Sequence, residues 1–153
     1  TAVGCIFADN TSDRPLCLIG NEKTAAFRRC QIVRNEISVS EGAGGAVVAA
    51  NDWSDCRFEN CLIGTVRPET APVSETGTVT TDNARFDKTE GAPPYSIKHG
   101  SPARGKGVVM DWMDGAPDIR NDVARYPRLR DGKVDIGCYQ CWLDPVGVLL
   151  LVR

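Results

Sequence analysis

Cysteines are the most reactive side chains in this chain of 153 residues, which contains seven of them. Cys138-x-x-Cys141 and Cys56-x4-Cys61 have spacings that a metal site or a disulfide framework can use. His99 is the only histidine, and neither cysteine spacing has a histidine partner. Because His99 lies in a Lys-His-Gly loop, a Ser/His/Asp or Cys/His arrangement for nucleophilic catalysis is not credible. We therefore predict no catalytic residues and no metal site. Buried structural thiols are the interpretation we favour, and disulfides stay the alternative.

Acidic residues are densest just before a group of arginines. Hard cations bind clustered carboxylates, so Ca²⁺ at Asp111, Asp114 and Asp118 is one interpretation. The spacing fits neither an EF-hand nor a Gly-Gly-x-Gly-x-Asp repeat, and arginines 120, 125, 128 and 130 follow at once. Internal salt bridges in a solvated loop are therefore the better prediction.

Two tryptophans are candidates for glycan contact, because an exposed indole ring stacks well on a sugar ring. Trp53 lies in a polar stretch, and Trp112 lies in the acidic one. For Trp53, a buried anchor at a corner of the chain is the alternative that we favour.

The elements that must position these groups follow from a repeat between Thr1 and Val66. One pattern occurs three times, with 25 residues from Cys5 to Cys30 and 31 from Cys30 to Cys61. Such periods indicate stacked supersecondary units. The alignment superimposes three cysteines, then three apolar residues two positions later, and two asparagines: Cys5, Cys30 and Cys61; Phe7, Ile32 and Ile63; Asn10 and Asn35.

Apolar residues alternate within each copy, apart from a local slip near Arg28-Arg29, which is typical of strands and fits a helix worse. Short strands and corners without an amphipathic helix predict one coil of a parallel β-solenoid per repeat. The superimposed cysteine and apolar residues then form a core ladder. Asn10 and Asn35 would occupy a corner, where asparagine tolerates the left-handed conformation.

These repeats resemble the Asn-Cys-x-Ile-x-x-Asn coils of right-handed parallel β-helix proteins, which have the pectate-lyase-like fold. The later part of the chain is similar to the C-terminal closing segment of secreted bacterial β-helix proteins. It departs from the usual closing motif at Arg104, Arg125, Cys138 and Gln140. The matching runs are Ser101-Pro102-Ala103, Asp122-Val123-Ala124-Arg125-Tyr126-Pro127-Arg128 and Val134-Asp135-Ile136-Gly137-Cys138-Tyr139.

Together the repeat and the resemblance predict an all-β fold: a right-handed parallel β-helix, or single-stranded solenoid, of about two to three coils plus an irregular C-terminal capping segment. Residues 1–81 are expected to form the coils and residues 82–142 the closing segment. We expect that segment to fold across the end of the last coil, with Phe86 as a plug. Residues 143–153 form an apolar tail, either a final strand or a sticky edge.

Composition limits the classes of partner. The chain has 42% hydrophobic and 25% charged residues and a formal net charge of −2, which argues against general nucleic-acid binding. Its apolar runs are shorter than a membrane span requires. The sequence begins inside a predicted strand at Thr1, so we expect upstream coils or self-association to cover this open first rung.

Enzymes of the resembling family place catalytic charges on the outer faces of adjacent coils. Here Asp9 would lie over Arg34, and Arg28-Arg29 beside Glu59-Asn60, which favours cross-coil ion pairs over an acid–base set.

We expect a non-catalytic secreted or cell-surface module, part of a larger protein, for adhesion, assembly or contact with a polysaccharide. Alternatives are the C-terminal part of a polysaccharide lyase or glycoside hydrolase with catalytic coils upstream, and a small self-assembling solenoid.

Overall fold

Short parallel strands dominate the computed structural model, which describes residues 1–12, 17–19, 24–37, 48–50, 55–64, 73–115 and 117–141. Besides the strands it contains one 3₁₀ turn, Asp111–Asp114, and one four-residue helix, α1 (Pro117–Arg120). The strands are β1 (Ala2–Val3), β2 (Ile6–Ala8), β3 (Thr11–Ser12), β4 (Cys17–Ile19), β5 (Thr24–Arg28), β6 (Gln31–Val33), β7 (Glu36–Ile37), β8 (Val48–Ala50), β9 (Asp55–Glu59), β10 (Leu62–Ile63), β11 (Val73–Thr76) and β12 (Val79–Thr80).

Consecutive strands fall in different sheets, so the chain winds in coils. The first sheet has the order β1-β5-β9-β11 and the second has the order β2-β6-β10-β12, with every neighbouring pair parallel. Two further pairs, β3 with β7 and β4 with β8, are also parallel. This arrangement confirms the predicted parallel solenoid. Each main sheet has four strands, and β11 and β12 are the last of them.

The coils turn from the first sheet to the second at residues with left-handed backbone, which we call the bend column: Gly4, Arg29, Asn60 and Gly77. Their φ angles are 62°, 54°, 53° and 61°. The amides of Gly4, Arg29 and Asn60 donate to carbonyl groups of the next coil at 2.8–2.9 Å. A left-handed non-glycine residue costs roughly 1–2 kcal/mol, and the repeated hydrogen bonds offset that cost. The slip near Arg28-Arg29 in the sequence is this bend.

Inside the coils, like residues stack along the solenoid axis. The rings of Phe27 and Phe58 are parallel with centroids 5.1 Å apart, and Phe7 meets Phe27 edge-on. Phe58 is fully buried, and its core cluster also contains Ile32 and Ile63. The alternation of strand side chains explains why these residues point inward while their neighbours point outward.

The closing segment covers the outer face of the second sheet. Val33 and Leu62 are its outward-facing apolar residues, and both are buried against this segment. The segment contributes Ala84, Ile97, Ala103, Ile136 and Cys141 to the cluster. An apolar outer face needs a cover, which explains why the segment packs along this side of the coils.

Phe86 was expected to cover the end of the coil core, but it lies elsewhere. It lies in the cluster on the outer face of the second sheet, where its ring meets Tyr95 edge-on with centroids 5.7 Å apart. Among the described residues no helix is long and apolar enough to cross a membrane. The predicted tail, residues 143–153, lies outside the described residues.

Replacing Phe58 tests the stacked core. Phe58→Ala removes a fully buried ring, so we expect the free energy of unfolding to fall by about 3–5 kcal/mol in a denaturant titration. Val109→Ala is the control, since Val109 is 54% exposed and should change stability by less than about 0.5 kcal/mol. Similar losses for the two variants would contradict the stacked core.

Candidate functional site

The structure brings Cys5, Cys30 and Cys61 together as one inner column, with Thr78 in the fourth place. The carbonyl groups of the three cysteines accept the amides of Gln31, Leu62 and Val79 at 2.9, 2.9 and 3.0 Å. The side chains of Cys30, Cys61 and Thr78 each donate to a carbonyl of the neighbouring coil, those of Ala2, Phe27 and Phe58, at 3.6, 3.1 and 3.1 Å. A small side chain with a hydrogen-bond donor is what this column requires, and both cysteine and threonine meet that need.

Burial keeps the thiols of Cys61 and Cys138 protonated, whereas the hydrogen bond with Cys61 lowers the pKa of Cys30 to about 7. Removal from water raises the pKa of Cys61 well above its ordinary value and raises the pKa of Cys138 to about 12. Cys5, Cys30, Cys61 and Cys138 are thiols rather than disulfides. Since the thiolate is the nucleophile and the metal ligand, Cys61 and Cys138 are suited to packing rather than chemistry. Among the described residues, no group of three or more His, Cys, Asp or Glu side chains is arranged to hold a metal ion.

Of the two cysteine pairs with metal-like spacing, Cys138 and Cys141 lie in different environments, whereas Cys56 and Cys61 lie in the same one. The Cys138 thiol lies beside the inner column, where it donates hydrogen bonds to the carbonyl groups of Cys5 and Arg29. Cys141 is buried in the cluster on the outer face of the second sheet. Cys56 and Cys61 share the coil core. The Cys-x-x-Cys motif thus anchors two different surfaces of the closing segment.

Asn10 and Asn35 form a ladder between coils at the corner. The Asn35 carboxamide donates to the Phe7 carbonyl at 2.9 Å and accepts the Asn10 amide at 3.1 Å. The left-handed residues are not the asparagines but Asp9 and Arg34, which precede them, at φ 55° and 56°. Asparagine is useful here because its side chain bridges coils, not because of its backbone.

Charged residues on the coils form the two predicted cross-coil ion pairs. Arg28 Nε lies 2.8 Å from Glu59 Oε2, and Arg34 Nε lies 2.6 Å from Asp9 Oδ1. Tyr95 also donates its hydroxyl hydrogen bond to Asp9. These side chains therefore stabilise the stacking of adjacent coils.

Trp112, one of the two predicted glycan contacts, packs against two arginines. The guanidinium carbons of Arg28 and Arg29 lie 5.1 and 5.2 Å from its ring centroid. Its indole nitrogen donates to Met110 Sδ at 3.2 Å. The half-buried ring is thus part of the contact between the coils and the closing segment. Trp53 lies outside the described residues.

Arg29 and Arg128 are two buried arginines whose burial was not predicted from the sequence. Arg29 is 1% exposed. Its removal from water, and to a smaller extent the positive charge of the nearby Arg128, lowers its pKa to about 9. Burial likewise lowers the pKa of Arg128 to about 10. Arg128 donates to the carbonyl groups of Asn121, Gly137 and Cys138 at 2.7–3.0 Å. The closing motif could have indicated a structural role for Arg128, because Arg128 is the arginine of that motif.

The acidic stretch does not converge on one point. Asp111 and Asp114 are exposed members of the 3₁₀ turn. Arg120 donates to the backbone carbonyl of Asp114 at 2.9 and 3.1 Å rather than to its carboxylate. The side chain of Asp118 lies outside the described part of the chain. The structure thus gives the Ca²⁺ interpretation no converging ligands among the described residues.

The edge formed by β1 and β2, which we call the first-coil edge, is the candidate functional site. Both are edge strands in the order of the described sheets. Cys5 and Phe7 are only half-buried there, whereas Cys30, Ile32 and Ile63 on later coils are 0–3% exposed. An apolar column with incomplete cover, next to strand edges, can accept another β-strand.

A scan against protein-family models and searches of curated proteins and of solved structures found no match for this chain. The two parallel sheets and their register identify the fold as a solenoid.

The two cross-coil ion pairs differ in exposure, which predicts different strengths. The Arg28 and Glu59 side chains are 33% and 18% exposed, against 61% and 39% for Arg34 and Asp9. In double-mutant cycles with Arg28→Gln and Glu59→Gln, we expect a coupling energy near the upper end of the range of about 0.2–1 kcal/mol, measured by unfolding. The Arg34→Gln and Asp9→Asn cycle should lie near the lower end and fall further with added salt. A larger coupling for Arg34 and Asp9 would contradict this ranking.

Proposed function

We propose that this chain is a non-catalytic β-solenoid module of a secreted or cell-surface protein, and that it works by assembly. The first-coil edge accepts a further β-rung, supplied by another copy of this chain. The observation that carries the proposal is the half-burial of Cys5 and Phe7 in a column that is closed on later coils.

Both the backbone and the side chains at this edge favour an added β-strand as the binding partner. Edge strands present amide and carbonyl groups in a row, and an added strand pairs with them. Phe7 meets one aromatic neighbour, Phe27, on the second coil. Covering a large apolar side chain of this type contributes roughly 1.5–3 kcal/mol. A rung with the same inward pattern would continue the stack and bury this side chain.

The charge arrangement supports a non-catalytic role. The arginines and carboxylates that align on neighbouring described coils are paired with each other, as Arg28 is with Glu59 and Arg34 with Asp9. A lyase of this fold type requires a base beside groups that neutralise a substrate carboxylate. Catalytic coils elsewhere in a longer protein are the alternative, and adhesion through glycan contact at Trp112 is a second one.

Association should depend on the first-coil edge. Val3 lies on β1 and is 37% exposed, so Val3→Lys adds a charge to the edge without opening the core. Charged edge residues oppose strand pairing. In a sedimentation-velocity concentration series we expect the native chain to associate and Val3→Lys to stay a monomer.

Val109→Lys is the matched control, since it makes the same substitution at an exposed valine outside the edge. It should associate like the native chain. A monomeric native chain at every concentration, or equal losses in the two variants, would contradict assembly. Unsaturated products released by this chain from a polyuronate, detected by absorbance, would contradict the non-catalytic role. Glycan-array binding that Val3→Lys leaves unchanged would favour adhesion instead.

A further inference from the structure

Two cysteines of neighbouring coils face each other at the first-coil edge. Ile6 and Gln31 are partners in the sheet, and the Gln31 amide donates to the Cys5 carbonyl at 2.9 Å. Cys5 and Cys30 directly precede these partners, so they lie one above the other in the inner column. Both pack into the same core cluster, so their side chains point to the same side. We call Cys5 and Cys30 the edge thiol pair.

The spacing of the edge thiol pair is compatible with a disulfide bond. Neighbouring strands of a sheet lie about 4.7–4.9 Å apart, and the Cα atoms of a disulfide are usually about 4.4–6.8 Å apart. The coil spacing lies near the short end of that range, and strained geometry makes a disulfide easier to reduce. Both cysteines are thiols in this structure. The pair therefore suits reversible exchange better than a permanent cross-link.

Cys5 is the accessible member of the pair. It is half-buried, whereas Cys30 and Cys61 are 0% exposed. The neighbouring β2 is an edge strand in the order of the described sheets. A small molecule in solution can therefore reach the Cys5 sulfur, with Cys30 directly behind it in the column.

Cys30 is the member with the more reactive sulfur. The thiolate is the nucleophile in disulfide exchange. Hydrogen bonding with Cys61, and to a smaller extent with Cys5 and the Arg28 backbone, lowers the pKa of Cys30 to about 7 although the side chain is buried. A thiol with a pKa near the ambient pH attacks disulfides best. Burial, followed by the charge of Cys30, raises the pKa of Cys5, so reaction at Cys5 is expected to be the slower step.

We propose that the edge thiol pair is a redox modification site that exchanges with a small disulfide. In the first step, the Cys5 sulfur bonds to one sulfur of the small disulfide, whose S–S bond breaks, and the departing group takes up the Cys5 proton. In the second step, the Cys30 thiolate attacks the Cys5 sulfur and expels the other half of the small disulfide as a thiolate. The two cysteines are oxidised to one disulfide, and the small disulfide is reduced to two thiols.

Exchange at Cys5 requires an open first-coil edge but not a second copy of the chain. Association would cover Cys5 and slow the exchange, so the reaction is measured on the dilute chain and on Val3→Lys. A chain that never associates would still form the bond between Cys5 and Cys30. Failure of the proposed assembly and failure of the proposed exchange therefore give different results.

Mass spectrometry after incubation with glutathione disulfide tests the exchange on the full chain. We expect Cys5 and Cys30 to become linked, with the loss of two hydrogen atoms and no glutathione left on Cys5. Dithiothreitol should reverse the change. Cleavage before Asp9 and after Arg29 and Arg34 isolates the two cysteines in separate peptides, which should be recovered as one linked pair.

Cys30→Ser removes the second thiol, so we expect glutathione to stay on Cys5 of this variant. A hydroxyl group fits the inner column, because Thr78 occupies its fourth place and donates to the Phe58 carbonyl at 3.1 Å. Cys61→Ser is the matched control, since it makes the same substitution at a buried cysteine one coil further along. It should still form the bond between Cys5 and Cys30, and the circular dichroism of both variants should match that of the native chain.

The linked pair of peptides from the native chain is decisive whether or not the variants fold. Its absence, or a link from Cys30 to Cys61 instead, overturns the proposal. Equal retention of glutathione on Cys5 by Cys30→Ser and Cys61→Ser also overturns it. Release of glutathione from Cys5 of Cys30→Ser does so too, because another sulfur would then complete the exchange.

Discussion

Backbone hydrogen bonding between successive left-handed bends is the constraint on which the rest of this structure depends. Each coil reverses from one sheet to the other at a single residue of the bend column. The amide at Arg29 is bonded to the carbonyl of Glu59 on the next coil, and the amide at Asn60 to that of Thr76. One strained residue per coil is acceptable because the neighbouring coil fixes it. The same bend then places the next side chain inside, which sets the register of the whole core.

The closing segment uses the bend column as its docking surface. The Asn60 carboxamide donates to the Val108 carbonyl at 2.8 Å and accepts the Val108 amide at 2.7 Å, while the Asn60 carbonyl accepts the Gly137 amide. Asp122 accepts the amides of Tyr126 and Gln140, so its carboxylate organises the segment internally. The aspartate of the closing motif thus satisfies backbone groups in a segment with little regular secondary structure.

Repeat spacing was enough to predict which residues of the coils share a register. The inner column and both cross-coil ion pairs follow from it, because in parallel coils residues one period apart lie next to each other. The side on which the closing segment packs did not follow. Val33 and Leu62 alternate with core residues in the same apolar run, so nothing in the pattern distinguishes a second covered face from a solvent-facing one.

Two further features were hidden from sequence reasoning for a different physical reason. Arginines are mostly exposed, so the burial of Arg29 in a left-handed bend depends on tertiary contacts such as its hydrogen bond to the Ile119 carbonyl. The pairing of Gly107 with Val134 in the closing segment is likewise a contact between residues that are far apart in the sequence. Local patterns contain no information about such pairings.

Amide hydrogen exchange measured by NMR tests the stacked coils most directly. Gln31, Leu62 and Val79 donate to the carbonyl groups of Cys5, Cys30 and Cys61 at 2.9, 2.9 and 3.0 Å. We expect the amide of Leu62, which is buried between two coils, to exchange only when the whole chain unfolds, and the amides of Gln31 and Val79 also to be protected. Exchange of the Leu62 amide at the rate of an unstructured peptide would contradict the stacking of the coils.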